Sequence, residues 1–283
     1  MPAFWSIELV AALVLNAALQ TLQIGAYAAR LAGVQTARVA TSISLFNLFV
    51  TASRFANMFY APMLGTVSDS ASAAMIAHPA SAPAVTHEFE WQLRVIVIAG
   101  TLGTTLGAAL LPTFALLFRR GIKSFELYGS LPRALFRLAD PAVMVSVARG
   151  VRVPHPSLLA RFGPQTVPLK LLIANVVVTG IYAIGVVAAV YASVLDPQQA
   201  RTTTLLSGII NGLATISFTL FVDPTSSLIV DQAVKGEKTM DDVRALVFWL
   251  CVTAIVGTLL SQLILTPATY VIVDAAHLLR HGR

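Results

Sequence analysis

Long apolar segments are the feature that most constrains this chain. Six of them reach the roughly 20 residues that an α-helix needs to cross about 30 Å of hydrocarbon. They cover residues 4–28, 39–64, 91–118, 169–195, 202–222 and 243–266. Backbone polar groups in hydrocarbon must be bonded within their own segment, so helices are the expected form. The sequence therefore predicts an all-α polytopic membrane protein with about six transmembrane helices, forming one domain over 1–283.

Composition supports the membrane class. The 283 residues are 57% hydrophobic and only 11% charged, against about 25% charged in soluble domains. The net charge of +6 is better explained by basic cytoplasmic loops than by a nucleic-acid surface, so no nucleic acid partner is expected. A single cysteine, Cys251, lies in an apolar segment. It excludes a disulfide framework and a cysteine-type zinc site.

The distribution of charge predicts the orientation. Residues 119–170 are strongly basic, whereas 65–90 contain acidic residues and no lysine or arginine. The positive-inside rule then places 29–38 and 119–168 in the cytoplasm, and 65–90, 196–201 and both termini outside. The basic residues Arg280 and Arg283 in the C-terminal tail argue mildly against this arrangement. The N-terminus lacks the basic region of a secretory signal, so 4–28 is interpreted as a retained first helix.

Two segments outside the spans also have helical patterns. The basic segment 119–168 contains amphipathic stretches, "SFELYGSLPRALFRLAD" and "DPAVMVSVARG", which are typical of helices that lie on anionic headgroups. The tail "TPATYVIVDAAHLLRHGR" is too short and polar for a seventh span. It is expected to form an interfacial helix with Pro267 near its start.

Polar residues recur at helical spacing inside three predicted spans, which gives each of those helices a polar face. The first span has Gln20, Gln23, Tyr27 and Arg30; the second has Asn47, Thr51, Arg54 and Asn57; the fifth has Ser207, Asn211, Thr215, Thr219 and Asp223. Facing lipid, such rows would leave amides and hydroxyls unpaired. They are expected to face one another or a wet cavity, although interhelical packing contacts explain many single Asn and Thr residues.

Arg54 is the most informative of these residues. A guanidinium near the bilayer midplane is costly, by about 2.5–3.5 kcal/mol on insertion scales, and it needs an anion. One interpretation is a structural ion pair with Glu8 or Asp223. Asp274 in the C-terminal tail is a third candidate anion. The other interpretation is an anion that comes and goes, such as a phosphate, which guanidinium binds bidentately.

Motifs of covalent chemistry are not found in the sequence. It contains no P-loop, no Rossmann pattern and no Ser-His-Asp arrangement, and its five histidines lack metal-ligand spacing. The pair Asp241–Asp242 lacks the second acid of a magnesium–pyrophosphate motif. The expectation is a protein without catalytic residues, metal or cofactor.

The two halves of the sequence show a short similarity. "VATSISLFNLFV" in the second span resembles "LATISFTLFV" in the fifth, and these helices would cross the membrane in opposite directions. Inverted repeats of this kind build alternating-access transporters with the site between the repeats. Two inverted three-helix repeats are therefore a hypothesis for the architecture.

Three blocks of the sequence resemble the Amj family of alternate lipid II flippases from bacteria. They are "AYAARLAGVQTARVATSISLFNLFVTASRFANMFYAPMLGTVSD" (26–69), "IINGLATISFTLFVDPTSSLIVDQAVKGEK" (209–238) and "GTLLSQLILTPA" (257–268). The region 70–170 does not contribute to the resemblance. What the resemblance implies is movement of the undecaprenyl-pyrophosphate-linked peptidoglycan precursor from the inner to the outer leaflet of the bacterial cytoplasmic membrane. It carries over no catalytic residue set.

The polar faces and the resemblance together predict a groove that binds lipid II or a related polyprenyl-pyrophosphate lipid. The candidate substrate-binding residues are Arg54, Asn47, Thr51, Asn57, Arg30, Gln23, Asn211 and Thr215. The candidate proton-binding or counter-charge residues are Asp223, Asp231 and Glu8. The alternatives are a membrane enzyme acting on a polyprenyl phosphate and a non-transporting scaffold of the cell-wall machinery. A homo-oligomer is compatible with each of these three functions.

Overall fold

The computed structural model describes residues 5–128 and 167–281, and within these ranges every regular element is helical. The α-helices are α1 (Ile7–Gly25), α2 (Ala28–Thr36), α3 (Val39–Ala77), α4 (Ala82–Ala109), α5 (Leu111–Tyr128), α6 (Leu169–Leu195), α7 (Ala200–Ser217), α8 (Asp223–Val234) and α9 (Met240–His281). Short 3₁₀ turns at Pro79–Ser81 and Pro197–Gln199 precede α4 and α7, and a π-helical segment, Phe218–Val222, joins α7 to α8.

Six helical stretches in the described ranges are long and apolar enough to cross a membrane. They are Ile7–Thr36, Val39–Ala77, Pro79–Ala109, Leu169–Leu195, Pro197–Val234 and Met240–Arg280. The expectation of an all-α polytopic membrane protein is confirmed. Helical structure continues beyond the predicted apolar limits, however. Much of 65–90, expected to be an external loop, belongs to α3 and α4 because its alanine and serine residues are compatible with helix although they are not apolar enough to predict a span.

The chain breaks within the predicted third span. α4 ends at Ala109 and α5 begins at Leu111, whereas the sequence predicted one helix over 91–118. Pro112 explains the break, because it has no N–H to bond a carbonyl of α4 and is tolerated in the first turn of a new helix. Phe114, Phe118 and Ile122 of α5 pack against α2 and α3. The amphipathic stretches predicted beyond Tyr128 fall almost wholly outside the described residues.

Two further differences concern the ends of the first and sixth spans. Residues 29–38 were expected to form a cytoplasmic connection, but most of this region is α2, and Arg30 is buried in it. The guanidinium is tolerated there because a carboxylate and two aromatic rings surround it, as described below. The tail expected to start a separate helix near Pro267 instead continues α9 to His281 with Pro267 inside it.

The bundle has two halves with the same pattern of neighbours. In α1–α5, α1 packs along both α3 and α4; in α6–α9, α6 packs along both α7 and α9. Glycine residues allow neighbouring helices in each half to approach each other closely. A β-carbon at Gly103 or Gly107 would collide with the backbone of α1 near Ala17 and Thr21, and Gly180 of α6 faces Gly257 of α9. This side of α4 is therefore a close packing face against α1.

A groove lies on one side of α6. Both α3 and α7 pack against α6, yet in the described part of the chain α3 and α7 hardly touch each other. They are also the least buried segments, since most of the Val39–Ala77 and Pro197–Val234 surfaces face outward. The space between them is therefore floored by α6, walled by α3 and α7, and open at the side.

Candidate functional site

The groove between α3 and α7 encloses a polar cavity of about 190 Å³. Its walls come from α1, α3, α6 and the α7–α8 stretch, and they combine one arginine and one aspartate with amides, hydroxyls and aromatic rings. The lining residues are Gln23, Tyr27, Phe46, Asn47, Val50, Ser53, Arg54, Val178, Thr179, Tyr182, Ala214, Thr215, Phe218, Thr219 and Asp223. A cavity of this composition in an apolar bundle can hold a charged, hydrogen-bonding group away from lipid.

Arg54 supplies the cation of this cavity. It lies on α3 about 22 Å from the helix start at Val39, at about 1.5 Å per residue, within a helical stretch long and apolar enough to cross a membrane. Among the described residues, no carboxylate lies within 4.0 Å of its guanidinium. The structural pairs considered from sequence, Arg54 with Glu8 or with Asp223, are not formed. Glu8 is exposed in the first turn of α1.

Asp223 is paired with Arg30 instead. Nη2 of Arg30 donates to Oδ1 of Asp223 at 2.7 Å, and the two side chains are 8% and 38% exposed. The guanidinium carbon of Arg30 also lies 5.4 Å from the ring centre of Tyr27 and 5.1 Å from that of Phe46. These distances are typical of cation–π contacts, which favour a positive charge between the rings.

A chain of hydrogen bonds fixes Tyr27. Its hydroxyl donates to Oδ1 of Asn175 at 3.1 Å, and Nδ2 of Asn175 donates to the carbonyl of Leu250 at 2.9 Å and to Oγ1 of Thr253 at 2.8 Å. Asn175 is fully buried. The ring of Tyr27 in turn stacks on Phe218 of the π-helical segment, with centres 6.3 Å apart. The ring of Tyr27 beside Arg30 is thus held by α6, α9 and the π-helical segment.

The structure brings together only part of the predicted site. Arg54, Asn47, Gln23, Thr215 and the proposed counter-charge Asp223 line one cavity, and Arg30 joins them through Asp223. The other predicted residues do not line it. Thr51 is exposed and bonds the carbonyl of Asn47 within its own helix, and Asp231 is exposed. Asn57 and Glu8 also lie outside the lining.

Asn211 has a packing position. A β-carbon at Gly185 of α6 would collide with its amide oxygen, so this side chain fills the close contact between α6 and α7. Its Oδ1 is buried without a hydrogen-bond partner in the described structure. The polar row that begins on α7 therefore has two roles. Asn211 packs against α6, whereas Thr215, Thr219 and Asp223, farther along the chain, line the cavity.

Two sets of residues that the structure brings out were not among the candidates predicted from the sequence. Thr179 and Tyr182 form the α6 floor. With Asn175 they recur at spacings of four and three in an otherwise mostly apolar helix, and this short row is the signal that could have found them. Arg94 lies inside the predicted third span, where it pairs with Glu90 at 2.7 Å. The spacing of Glu90 and Arg94 by four residues is the signal that could have found this pair, since it places both side chains on one helix face.

No metal centre is evident in this site: in the described ranges, no group of three His, Cys, Asp or Glu side chains is placed to hold a metal ion. Cys251 is buried in the packed core near α2 and α6, away from the cavity lining.

Comparison with known proteins decides the family. The model of the family described as "Amj: Alternate to MurJ" matches residues 15–276, which is most of the chain. The chain belongs to the Amj family. A curated member from Bacillus subtilis (strain 168), named lipid II flippase Amj, is 34% identical over 248 residues, covering 87% of this chain and 88% of the relative. No solved structure matches this Amj family member.

The matched range also contains the cavity. Every residue that lines it, from Gln23 to Asp223, lies inside 15–276. Because the match includes 70–170 as well, it extends through the region where the sequence blocks showed no resemblance. This Amj family member is accordingly a multi-pass membrane protein whose polar cavity belongs to the part that it shares with its family.

Proposed function

We propose that this Amj family member is a lipid II flippase of the bacterial cytoplasmic membrane. It would move the polyprenyl-pyrophosphate-linked precursor from the inner to the outer leaflet without covalent chemistry. The observation that carries the proposal is Arg54, a cation on a membrane-spanning helix that lines a cavity with polar walls and has no carboxylate within 4.0 Å in the described structure. Family membership and the relative's name support the same function.

Pyrophosphate chemistry fits Arg54. Guanidinium presents several N–H donors in a planar fork and binds phosphate oxygens bidentately. A diphosphate crossing the low-dielectric part of the bilayer without a partner would meet a large desolvation cost, which a fixed cation offsets. Arg54 without a resident acid can receive such a group without first breaking an ion pair.

The rest of the cavity offers partners for a hydrated headgroup. Gln23 has a buried amide oxygen without a partner in the described structure, and Asn47 lines the opposite wall from α3. Unpaired buried polar groups are costly, so a ligand that pairs them gains affinity. Sugar hydroxyls and peptide amides are suitable partners for these groups.

The open side of the groove fits the lipid tail. A polyprenyl chain must remain in hydrocarbon while its headgroup is in the cavity, and α3 and α7 leave such an opening because they hardly touch each other. The cavity is built within one chain, so the proposal needs no second copy.

Lipid II translocation in proteoliposomes tests the proposal. The wild type is expected to expose labelled lipid II to the opposite leaflet, and Arg54→Gln to abolish this while retaining folding and membrane insertion. Arg54→Lys, which keeps charge but loses the fork, should give intermediate activity. Thr51→Val on the same helix is the matched control, because Thr51 bonds its own helix and does not line the cavity. Full activity of Arg54→Gln would refute the site.

The same assay separates the alternatives. A membrane enzyme would convert labelled lipid to a new chemical species in detergent, which mass measurement of the recovered lipid detects. A scaffold would show neither translocation nor conversion in any variant. Repeating the assay with a pH gradient of either sign measures whether proton movement drives transport.

A further inference from the structure

Arg30 makes fewer hydrogen bonds than its burial requires. Nη2 donates to Asp223, but Nη1 is buried and has no hydrogen-bond partner in the described structure. An unpaired buried N–H on a charged group is costly, and guanidinium carries five donors in total. The pair with Asp223 therefore leaves part of the fork available to another acceptor.

Asp223 lines two cavities, and each of them contains one of the two arginines. It lines the larger cavity, which contains Arg54, and also a smaller one of about 40 Å³ that contains Arg30, Ser42, Phe46 and Ser227. At about 10–15 Å³ for each water position, the smaller cavity has room for a few waters only. A phosphate bonded to Nη2 of Arg30 would have to take the place of the Asp223 carboxylate, which occupies that donor at 2.7 Å.

The backbone around Asp223 is irregular. The residue begins α8, directly after the π-helical segment Phe218–Val222 and before Pro224. π-Helical segments occur often at functional sites, and proline removes a hydrogen bond from the helix. Asp223 is also more exposed than its partner, at 38% against 8%. The carboxylate is thus the more accessible member of the pair, whereas the rings of Tyr27 and Phe46 flank the guanidinium.

We propose that Asp223 is a resident substitute for phosphate, which the diphosphate of a polyprenyl lipid displaces from Arg30. The inference rests on the proposed function and names a second phosphate-binding residue for it. Arg30 receives a phosphate through both Nη atoms when the carboxylate leaves, and Asp223 restores the pair when the lipid departs. Since the cation always has an anion beside it, the buried charge remains compensated throughout the cycle.

The orientation predicted from sequence gives this exchange a direction. Arg30 belongs to 29–38, the region that the positive-inside rule places on the cytoplasmic side, so it would lie nearer the inner leaflet than Arg54. Arg54 lies farther along α3, toward the opposite leaflet. Displacement of Asp223 would therefore occur at entry, before the diphosphate reaches Arg54.

Equilibrium binding of farnesyl diphosphate to the full chain in nanodiscs tests the exchange. Asp223→Asn keeps the shape of the side chain and removes the competing charge, so it should bind about tenfold more tightly. Arg30→Gln should bind about tenfold more weakly, and Arg30→Lys should fall between. Lipid II translocation by Asp223→Asn should slow despite tighter binding, because the lipid leaves Arg30 more slowly. Unchanged binding by Asp223→Asn would overturn the exchange.

The double variant Arg30→Gln/Asp223→Asn distinguishes exchange from a structural ion pair. Removing both charges of a structural pair relieves the uncompensated charge, so a purely structural role predicts wild-type binding. Exchange predicts binding as weak as that of Arg30→Gln alone. The control is Arg244→Gln, which breaks the exposed 2.7 Å pair with Asp241 on α9 and should leave binding unchanged.

Two further measurements separate the possible outcomes. Inorganic pyrophosphate in place of farnesyl diphosphate shows whether phosphate chemistry alone supports the exchange or the prenyl chain is required. If Arg54→Gln weakens binding while every Arg30 and Asp223 variant behaves as wild type, the exchange is wrong and the proposed function stands. If the wild type neither binds the diphosphate lipid nor translocates lipid II, the proposed function itself is wrong.

Discussion

The side chains of Arg94 and Gln262 each donate a hydrogen bond to the backbone carbonyl of the other residue. Nη1 of Arg94 donates to the carbonyl of Gln262 at 3.1 Å, and Nε2 of Gln262 donates to the carbonyl of Arg94 at 2.9 Å. The same guanidinium donates to Glu90 and to Thr266, and the hydroxyl of Tyr191 donates to Glu90 at 3.0 Å. Together these bonds join α4 of one half to α6 and α9 of the other.

This network lies at the opposite end of the groove from Arg30. Along α6, Asn175 beside Tyr27 and Tyr191 beside Glu90 are about 24 Å apart at about 1.5 Å per residue. The two halves are therefore joined by charged side chains at both ends, with the Arg54 cavity between. Unlike Arg30, Arg94 makes hydrogen bonds from all three of its nitrogens.

Removing Arg94 should destabilise the fold. Arg94→Gln leaves Glu90, Thr266 and the carbonyl of Gln262 without their shared partner, and we expect a loss of about 2 kcal/mol in the free energy of unfolding. Thermal unfolding in detergent measures it. The control Arg244→Gln breaks an exposed pair and should cost less than about 1 kcal/mol. Equal losses in the two variants would contradict a structural role for the network.

Adding a methyl group at Gly103 should also destabilise the protein. A β-carbon there would collide with the backbone of Ala17, so Gly103→Ala must separate α1 from α4 and should cost about 1–3 kcal/mol. Gly212→Ala is the matched control, because a β-carbon on Gly212 meets nothing within 4 Å. It should be neutral or stabilise by up to about 1 kcal/mol. Unfolding in mixed micelles compares the two, and similar values would refute the close packing.

Asn175 should affect both stability and transport. Asn175→Leu removes the acceptor of Tyr27 and the donors to Leu250 and Thr253, at a cost of about 1–3 kcal/mol. It also releases the ring that supports Arg30, so translocation per folded molecule should fall. Tyr27→Phe keeps the ring and loses only the hydroxyl, and its effects should be smaller. Translocation rates normalised to folded protein make the comparison.

Residues of the predicted polar faces should differ in their effect on transport according to whether they line the cavity. Asn47→Leu and Thr215→Val remove polar groups from the cavity and should slow translocation several-fold, in keeping with about 1 kcal/mol for each lost hydrogen bond. Thr51→Val and Asn57→Leu lie outside the lining and should retain wild-type rates. Reduced rates in all four variants would show that the lining does not define the site.

Cysteine labelling tests the predicted orientation. The native Cys251 is 4% exposed, so it should give little background with a membrane-impermeant maleimide. Ala80→Cys, in the turn between α3 and α4, should react from outside intact cells. Lys235→Cys, after α8, should react only after the membrane is opened. The reverse pattern would place both termini in the cytoplasm.

The apolar segments predicted six spans because hydrocarbon imposes a length and a composition on each crossing helix. Periodicity also predicted which face of the fifth span is polar. Thr215 of α7, Thr219 of the π-helical segment and Asp223 of α8 do line the cavity. Periodicity within one helix does not tell which helix that face meets. The choice of Asp223 between Arg30 and Arg54 depends on how α2, α3 and α8 pack, and the sequence alone left it open.

The floor of the cavity was missed for a related reason. Thr179 and Tyr182 recur with Asn175 at spacings of four and three, but the row is short and lies in a mostly apolar helix. Only the placement of α3 and α7 on either side of α6 shows that Thr179 and Tyr182 face a cavity. Arg30 falls both on the polar face of the first helix and in the connection 29–38, since positive charge beside a span usually indicates the cytoplasmic interface. Its burial depends on Asp223, Tyr27 and Phe46, which come from three different helices.

The opening between α3 and α7 determines how a small molecule could reach Arg54. The entrance faces the bilayer, so an inhibitor of this site would first dissolve in the membrane and then diffuse sideways into the protein. Its working concentration would be the concentration in lipid, and potency would increase with partitioning as well as with affinity. An amphiphile with one compact anionic group would satisfy both requirements, whereas a purely water-soluble phosphate analogue would fail at the first.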